Sequence, residues 1–282
     1  MVITPMLMWT SIFAKKRTIQ EFFIKMASVD AVTPNSEKRI KKFVNILLLV
    51  EISCILLQAF LLWTAYGKPV DRVGSSFPSY FTTIWLYYSL TSVMIVTYCS
   101  IGYFFILLLR NIKKKATYLV HKPTTEALLK IFIQYYEITD RIEEFQNAFS
   151  ASSFFCIAQL CFVLSLDIMF VVAGLYTESV QIFQMVSSFL KTCVSILVIT
   201  VTAAQVSSEV NGIRNTLVNA KTEFTQKMLT DEKFKDLVDL ILRKDITVLS
   251  GWNILSYEKG FLLKTFAAVS AQVVLVYQVI KL

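Results

Sequence analysis

Proline and glycine are scarce in this chain, with five and seven copies among 282 residues. Tight turns depend on these two residues, so the sequence has little material for successive β-hairpins. Its apolar stretches are also continuous rather than alternating, which is the pattern of helices and not of β-barrel strands. Both features argue against a membrane β-barrel.

Histidine is rarer still, and the single copy, His121, lies in a basic segment. No histidine pair is present for a metal, and no Cys-His or Ser-His-Asp set is available for nucleophilic catalysis. The sequence also contains neither a phosphate-binding loop nor a GxGxxG motif. We therefore predict no enzymatic activity, no metal and no cofactor.

The five cysteines are an odd set, and each lies inside an apolar segment, which indicates buried free thiols. No Asn-x-Ser/Thr acceptor site occurs. The net charge of +8 is spread over segments between the apolar ones, so it is better explained by membrane orientation than by nucleic-acid binding.

What the chain does have is apolar sequence, with 55% hydrophobic residues and a mean hydropathy of +0.59. A helix needs about 20 mainly apolar residues to cross the hydrocarbon core of a membrane. Five segments qualify, at about 44–63, 80–109, 154–175, 182–205 and 261–277. The prediction is an all-α polytopic transmembrane bundle that occupies residues 1–282 as a single domain.

Lysine and arginine are concentrated in alternate connections, which sets the predicted orientation. On one side they are Lys15, Lys16, Arg17, Lys25, Lys38, Arg39, Lys41 and Lys42 in segment 1–43, Arg110, Lys113, Lys114, Lys115, Lys122, Lys130 and Arg141 in loop 110–150, and Arg214, Lys221, Lys227, Lys233, Lys235, Arg243, Lys244 and Lys259 in loop 206–260. The other side has only Lys68, Arg72 and Lys281. The N-terminus is predicted to be cytoplasmic and the C-terminus extracellular.

Both long basic loops carry helical patterns. Apolar residues recur near helical spacing in 126–149 and, less regularly, in 209–243. We predict that the adjoining spans continue into the cytoplasm as amphipathic helices. The apolar stretch 1–13 is followed by basic residues, as at the inner end of a span.

The end of the chain carries a motif. The final span contains Thr265 and Phe266, then five residues, then Gln272 and Val273, and a glycine-aromatic pair, Gly251 and Trp252, precedes it. This resembles the C-terminal signature of the arthropod gustatory receptors, Thr-Tyr, five hydrophobic residues and Gln-Phe, with Phe in place of Tyr and Val in place of Phe. That family's inverted topology matches the charge pattern.

The resemblance implies a fold shared with insect odorant receptors. In that fold each subunit has seven spans, and four subunits form a ligand-gated cation channel. The five spans here would be the third to seventh, so the chain would be N-terminally truncated. The resemblance also implies that the chain is a gustatory receptor subunit in the lipid bilayer of the plasma membrane. Its ligand would be a small-molecule tastant, and its partners would be related receptor subunits in a homo- or hetero-tetramer. The final span would line the pore.

Residues three and four apart share a helix face, so Val269, Gln272 and Val273 are predicted to form one stripe toward the pore. Apolar rings close pores by dewetting, and an amide replaces part of an ion's hydration shell. The alternative is that Gln272 only hydrogen-bonds between helices.

Charged residues inside spans are costly and indicate function or pairing. Asp167 and Lys191 lie at similar depth on adjacent spans and are predicted to pair, whereas Glu51 has no obvious partner. The resemblance places a ligand pocket in the outer half of the bundle, for which the candidates are Trp85, Tyr87, Tyr88, Gln159, Phe162, Asp167, Phe170 and Lys191.

Three alternatives stay open. A G-protein-coupled receptor would need the opposite orientation, and Asp140-Arg141 lies far from a span end. A transporter subunit would be expected to have broken spans or internal repeats, and the spans contain no proline. A truncated, non-functional remnant is the third.

Overall fold

The computed structural model describes residues 3–27, 34–66, 77–121, 125–172, 179–225, 249–251, 255–257 and 260–281. Almost all of them are helical. The helices are α1 (Ile3–Ala14), α2 (Lys16–Ala27), α3 (Pro34–Tyr66), α4 (Phe77–His121), α5 (Thr125–Val172), α6 (Ser179–Thr225) and α7 (Phe261–Lys281), and a two-stranded antiparallel hairpin, β1 (Ser250–Gly251) and β2 (Leu255–Ser256), precedes α7.

Three helices are far longer than a membrane is thick. α4, α5 and α6 contain 45, 48 and 47 residues. At 1.5 Å per residue each is about 70 Å long, against a hydrocarbon core of ~30 Å. Helix α4 continues to His121, α5 begins at Thr125 and α6 continues to Thr225, so helix extends beyond the apolar runs into the basic segments. The remainder of the predicted helix 209–243 lies outside the described residues.

Within the described part of the chain, four helices are long and apolar enough to cross a membrane, at Ser36–Leu61, Tyr88–Tyr118, Leu129–Val172 and Gln181–Val218, and Leu263–Leu275 is a shorter apolar helix. The predicted transmembrane helical bundle is confirmed. We call the end of the bundle that carries Arg39, Arg110 and Glu209 the basic half, and the opposite end the apolar half.

Helix α4 is the centre of the bundle and α3 lies at its edge. In their most apolar windows, 67% of α4 is buried and only 17% of α3. Large side chains such as Leu49 and Phe60, 69% and 63% exposed, project outward from α3, as expected of a surface that faces lipid. Helix α6 approaches α4 closely because Gly102 has no side chain; a Cβ there would lie 2.5 Å from Cγ2 of Thr202.

A cluster of aromatic rings forms the main core toward the basic half. Phe145 of α5 is fully buried and contacts Tyr98 and Phe105 of α4, with ring centroids 5.1 and 5.8 Å away. Phe22 of α2 closes the cluster at 5.9 Å from Phe145, and Phe149 lies one turn along α5 at 5.1 Å. This core joins α2, α4 and α5 where the helices leave the apolar half.

The N-terminal helices pack onto α5 rather than standing apart. Met8 of α1 is fully buried, and the hydroxyls of Ser11 and Ser152 are 2.9 Å apart. Helix α2 adds an ion pair between Lys25 and Glu144. Helices α1 and α2 therefore contribute directly to the core of the bundle.

Candidate functional site in the apolar half and the final helix

A buried ion pair lies between α3 and α6 in the apolar half. Nζ of Lys191 is 3.6 Å from Oε2 of Glu51, and both side chains are only 8% exposed. Ser92 of α4 connects the two charges, since its hydroxyl donates to Glu51 Oε2 at 2.6 Å and accepts from Lys191 Nζ at 3.2 Å. The ammonium also lies over the ring of Tyr88, 4.8 Å from its centroid, which is a favourable cation–π position.

The predicted pairing of Asp167 with Lys191 is therefore wrong, and so is the expectation that Glu51 has no partner. A similar depth in the bundle would allow Lys191 to pair with either Asp167 or Glu51. It pairs with Glu51 because α3 packs against α6 at this level. Asp167 instead hydrogen-bonds Ser188 of α6. A lone buried charge would be costly in this setting, and the pairing with hydrogen bonds offsets part of that cost.

Two buried glutamines extend the polar region. Gln159 of α5, 1% exposed, donates to the hydroxyl of Thr91, the residue before Ser92. Gln58 of α3, 2% exposed, donates to the hydroxyl of Ser187 at 3.0 Å, one helical turn from Lys191. The partners of these side chains on α4 and α6, Thr91, Ser187 and Ser188, lie within one helical turn of Ser92 or Lys191. We call the set the polar cluster; its members are Glu51, Gln58, Tyr88, Thr91, Ser92, Gln159, Asp167, Ser187, Ser188 and Lys191.

Three acceptor atoms of the polar cluster are buried without a hydrogen-bond partner. They are Oε1 of Gln58, Oε1 of Gln159 and Oδ2 of Asp167. Nearly all buried polar atoms in proteins have partners, because an unsatisfied one costs about 1–3 kcal/mol. Three such acceptors around one ion pair give this region an unused capacity to receive hydrogen-bond donors.

The predicted pocket residues divide into three groups. Tyr88, Gln159, Asp167 and Lys191 belong to the polar cluster. Phe162 does not, since it is 47% exposed on the outside of the bundle, and Phe170 is half-buried on α5. The side chains of Trp85 and Tyr87 lie outside the described part of the structure. Sequence reasoning missed Gln58 and Ser92, whose signal was a polar side chain inside an apolar span.

The final helix rests on α5 and α6 through two of its valines. Val269 and Val273 are buried against Leu164, with Phe189 and Phe266 at the edge of the contact. Gln272, one residue from Val273, is exposed. The predicted stripe is thus divided, because the valines face the chain's own helices and the amide faces away from them. Thr265 is buried and its hydroxyl bonds the carbonyl of Phe261 at 2.9 Å.

The hairpin before α7 is held by one side chain of α5. Gln146 donates to the carbonyl and the hydroxyl of Ser250 at 2.8 and 2.7 Å, and its Oε1 accepts from the Ser250 amide at 3.1 Å. One buried amide therefore bonds both backbone groups of Ser250, in the hairpin that leads toward the final helix. We call this contact the hairpin clamp.

Tyr257 completes the connection from the hairpin to α7. Its hydroxyl donates to Ser153 of α5 at 3.1 Å, and its ring contacts Tyr98 and Phe261 edge-on. Burial raises its pKa, with the Ser153 hydrogen bond acting in the opposite direction, so the phenol stays protonated and donates.

The glycine of the glycine-aromatic pair has a steric role here. A Cβ on Gly251 would lie 2.5 Å from the Tyr257 hydroxyl and 3.1 Å from the backbone Cα of Phe154. Only a residue without a side chain allows the hairpin to approach α5 this closely. Trp252 lies outside the described residues.

Comparison with solved structures gives clear matches. The chain is similar to the insect olfactory receptor OR5 of Machilis hrabei, with a TM-score of 0.69, 13% identity, and coverage of 98% of this chain and 78% of that one. The same receptor in complex with eugenol matches with a TM-score of 0.70, at the same identity and coverage. Both are receptors rather than enzymes. This chain therefore has the fold of an insect olfactory receptor.

Comparison of the sequence alone gives no such match. No family model matches the chain, and no curated protein matches it.

Proposed function

We propose that this chain is a subunit of a chemosensory receptor that opens a cation pathway when a small molecule binds in the apolar half of the bundle. The observation that carries the proposal is the polar cluster, with its unsatisfied buried acceptors, inside the fold of a receptor solved with eugenol. Buried polar groups with unused capacity are what a small-molecule site needs for orientation and specificity.

The free groups of the cluster suggest the chemistry of the ligand. Gln58, Gln159 and Asp167 each present an acceptor, so the matching molecule carries hydroxyl or amine donors on a body small enough to enter a helical bundle. A ligand that satisfied all three would remove the cost of leaving them unpaired. We infer a polyol, a phenol or a small amine, in keeping with a gustatory role suggested by the Thr265 to Val273 motif.

The final helix is proposed to line the conducting path in an assembly of four subunits. The side of α7 that this chain leaves uncovered includes Gln272, and an exposed amide in the middle of a mainly apolar helix suits a pore wall. The buried Val269 and Val273 seat the helix instead. We therefore assign the pore contact to Gln272 among the three predicted residues.

Coupling between the two sites is proposed to run through the hairpin clamp. Helix α5 carries Gln159 and Asp167 of the polar cluster and, nearer the basic half, Gln146 of the clamp. A ligand that shifts α5 would move the strand held by Gln146 and, through Tyr257, the start of α7. The linkage requires two arrangements of α5, which is a physical condition for any ligand-driven gate.

Recording currents tests the proposal. The chain would be expressed alone and with related receptor subunits, and challenged with polyols, phenols and amines while the membrane current is measured. A C-terminal epitope tag, labelled on intact cells, reports surface delivery and orientation. We expect extracellular labelling and a ligand-evoked cation current.

Two variants make the test specific. Gln159→Leu removes an unsatisfied acceptor and is expected to raise the half-maximal ligand concentration about tenfold, as for loss of one hydrogen bond. Phe162→Ala, at an exposed site on the same helix, is the matched control and is expected to leave the response unchanged. Surface-labelled assemblies that give no current with any ligand would contradict the proposal, and a C-terminus labelled only after permeabilisation would favour a G-protein-coupled receptor.

A further inference from the structure

A wide cavity opens in the basic half, away from the polar cluster and from α7. It measures about 740 Å³ and lies between the start of α3, the C-terminal part of α4 and Glu209 of α6. Its lining includes four basic side chains and one acid; the charged residues are Arg39, Arg110, Lys113, Lys114 and Glu209. Leu107 forms an apolar part of the wall, and Tyr118 the opposite end.

The cavity lies where the helices change from apolar to charged sequence. The rings of Phe43 and Tyr103 stack 4.3 Å apart and fix the register of α3 against α4. One turn further along each helix, Arg39 reaches the level of Leu107, and charged residues begin on α4 at Arg110. This level is the boundary between hydrocarbon and headgroups, because the apolar runs of both helices end there.

The charges in the cavity do not cancel. Glu209 is used by two of the cations, with Arg110 Nε at 2.8 Å and Lys113 Nζ at 3.8 Å. Arg39 and Lys114 are exposed, and no described acid forms an ion pair with either of them. The cavity therefore has a net positive charge. Its carboxylate, Glu209, is already paired, whereas Arg39 of α3 and Lys114 of α4 are available to an anion.

We propose that this cavity binds the phosphate groups of a polyphosphorylated headgroup, and that an anionic phosphoinositide of the adjoining leaflet supplies it. Basic pockets between transmembrane helices at the cytoplasmic surface suit such headgroups, since several cations converge on several phosphate charges. The apolar wall at Leu107 accommodates the start of the acyl chains. The inference rests on the orientation proposed above and not on channel activity.

Direct binding tests it on the full chain in detergent, so a failure of channel function does not affect the outcome. A fluorescent short-chain phosphatidylinositol bisphosphate is titrated with protein while its anisotropy is measured. Soluble inositol trisphosphate and short-chain phosphatidylcholine serve as competitors. We expect saturable binding that the phosphatidylcholine does not displace and the soluble headgroup displaces only weakly.

The double variant Arg39→Gln/Lys114→Gln is expected to bind about 30-fold more weakly, taking about fivefold for each cation near the membrane surface. Lys16→Gln/Arg17→Gln is the matched control, because it removes the same two charges from exposed positions of α2 outside the cavity. It is expected to bind within about twofold of the parent, and unchanged melting temperatures verify the fold of both variants.

Three results would overturn the inference. Equal weakening in both double variants would mean that net charge alone attracts the probe. An absence of saturable binding would remove the site altogether. Full competition by inositol trisphosphate at the affinity of the lipid would assign the cavity to a soluble phosphate and not to the membrane.

Discussion

In the basic half, Phe145 and its aromatic neighbours are completely buried, and Gln146 uses every polar atom of its amide on Ser250. In the apolar half, the polar cluster leaves three buried acceptors without partners, while α3 exposes several leucines and Phe60. The first region also has an unpartnered polar atom, the buried hydroxyl of Tyr98, but it is mainly a close packing of rings. The second region has three unpartnered acceptors on the helices that surround an ion pair. This difference is expected if one half anchors the bundle and the other responds to a ligand. Functional sites often keep polar groups that lower stability, because those groups are needed for binding.

The largest effect is expected from the aromatic core. Phe145→Ala should lower the free energy of unfolding by about 4 kcal/mol, because it leaves a cavity among rings that cannot collapse to fill it. The measurement is thermal unfolding of the purified chain in detergent. Phe162→Ala makes the same change in the apolar half at an exposed site and should cost less than about 1 kcal/mol. Equal losses would mean that the two halves do not differ in packing.

Breaking the ion pair should have the next largest effect. Lys191→Met leaves the Glu51 carboxylate buried without its cation, at a cost of about 3 kcal/mol, the lower end of the usual range because Ser92 still donates to it. Adding Glu51→Gln should recover more than half of the loss. The same cycle made with Asp167→Asn should show a coupling below about 0.5 kcal/mol; coupling to Asp167 instead of Glu51 would contradict the pairing.

Removing the hairpin clamp should lower the free energy of unfolding by somewhat less than breaking the ion pair. Gln146→Leu removes three buried hydrogen bonds to Ser250, and we expect a loss of about 2 kcal/mol in the free energy of unfolding. Proteolysis near residue 250, monitored by mass spectrometry, should accelerate along with it. An unchanged proteolysis rate would show that the hairpin is held by other contacts.

The smallest effect on stability is expected when a glutamine of the apolar half is replaced by leucine, as at Gln146. Gln159→Leu removes one hydrogen bond to Thr91 but also an unsatisfied acceptor, so the two contributions offset and the loss should stay below about 1 kcal/mol. Comparing its unfolding temperature with that of Gln146→Leu isolates the difference between the halves. A larger loss at Gln159 than at Gln146 would reverse the comparison.

Much of this architecture can be predicted from sequence, because spans and helical extensions depend on local composition and periodicity. The five apolar segments and the helices through the basic loop at 125–150 are cases in point. Contacts between distant helices are a different matter. Depth in the membrane suggested Asp167 as the partner of Lys191, whereas the structure pairs Lys191 with Glu51, since depth does not tell which helices are neighbours.

The final helix illustrates the same limit at the level of one residue. Helical spacing groups Val269, Gln272 and Val273 on one side, but only the packing against Leu164 separates the buried valines from the exposed amide. Similarly, nothing local in the chain pairs Gln146 with Ser250, which are 104 residues apart. The glycine-aromatic motif at Gly251 drew attention to this part of the chain but did not predict its contact with Gln146 of α5.

The most direct test of the account is whether the uncovered side of α7 faces the conducting path. Gln272→Cys and Val273→Cys, each in a surface-expressed assembly that gives ligand-evoked current, would be exposed to a positively charged, membrane-impermeant thiol reagent while current is recorded. The parent chain, with its five native cysteines, provides the baseline. We predict rapid block of Gln272→Cys and no change for Val273→Cys. Block of Val273→Cys, or insensitivity of both, would contradict the assignment of the final helix.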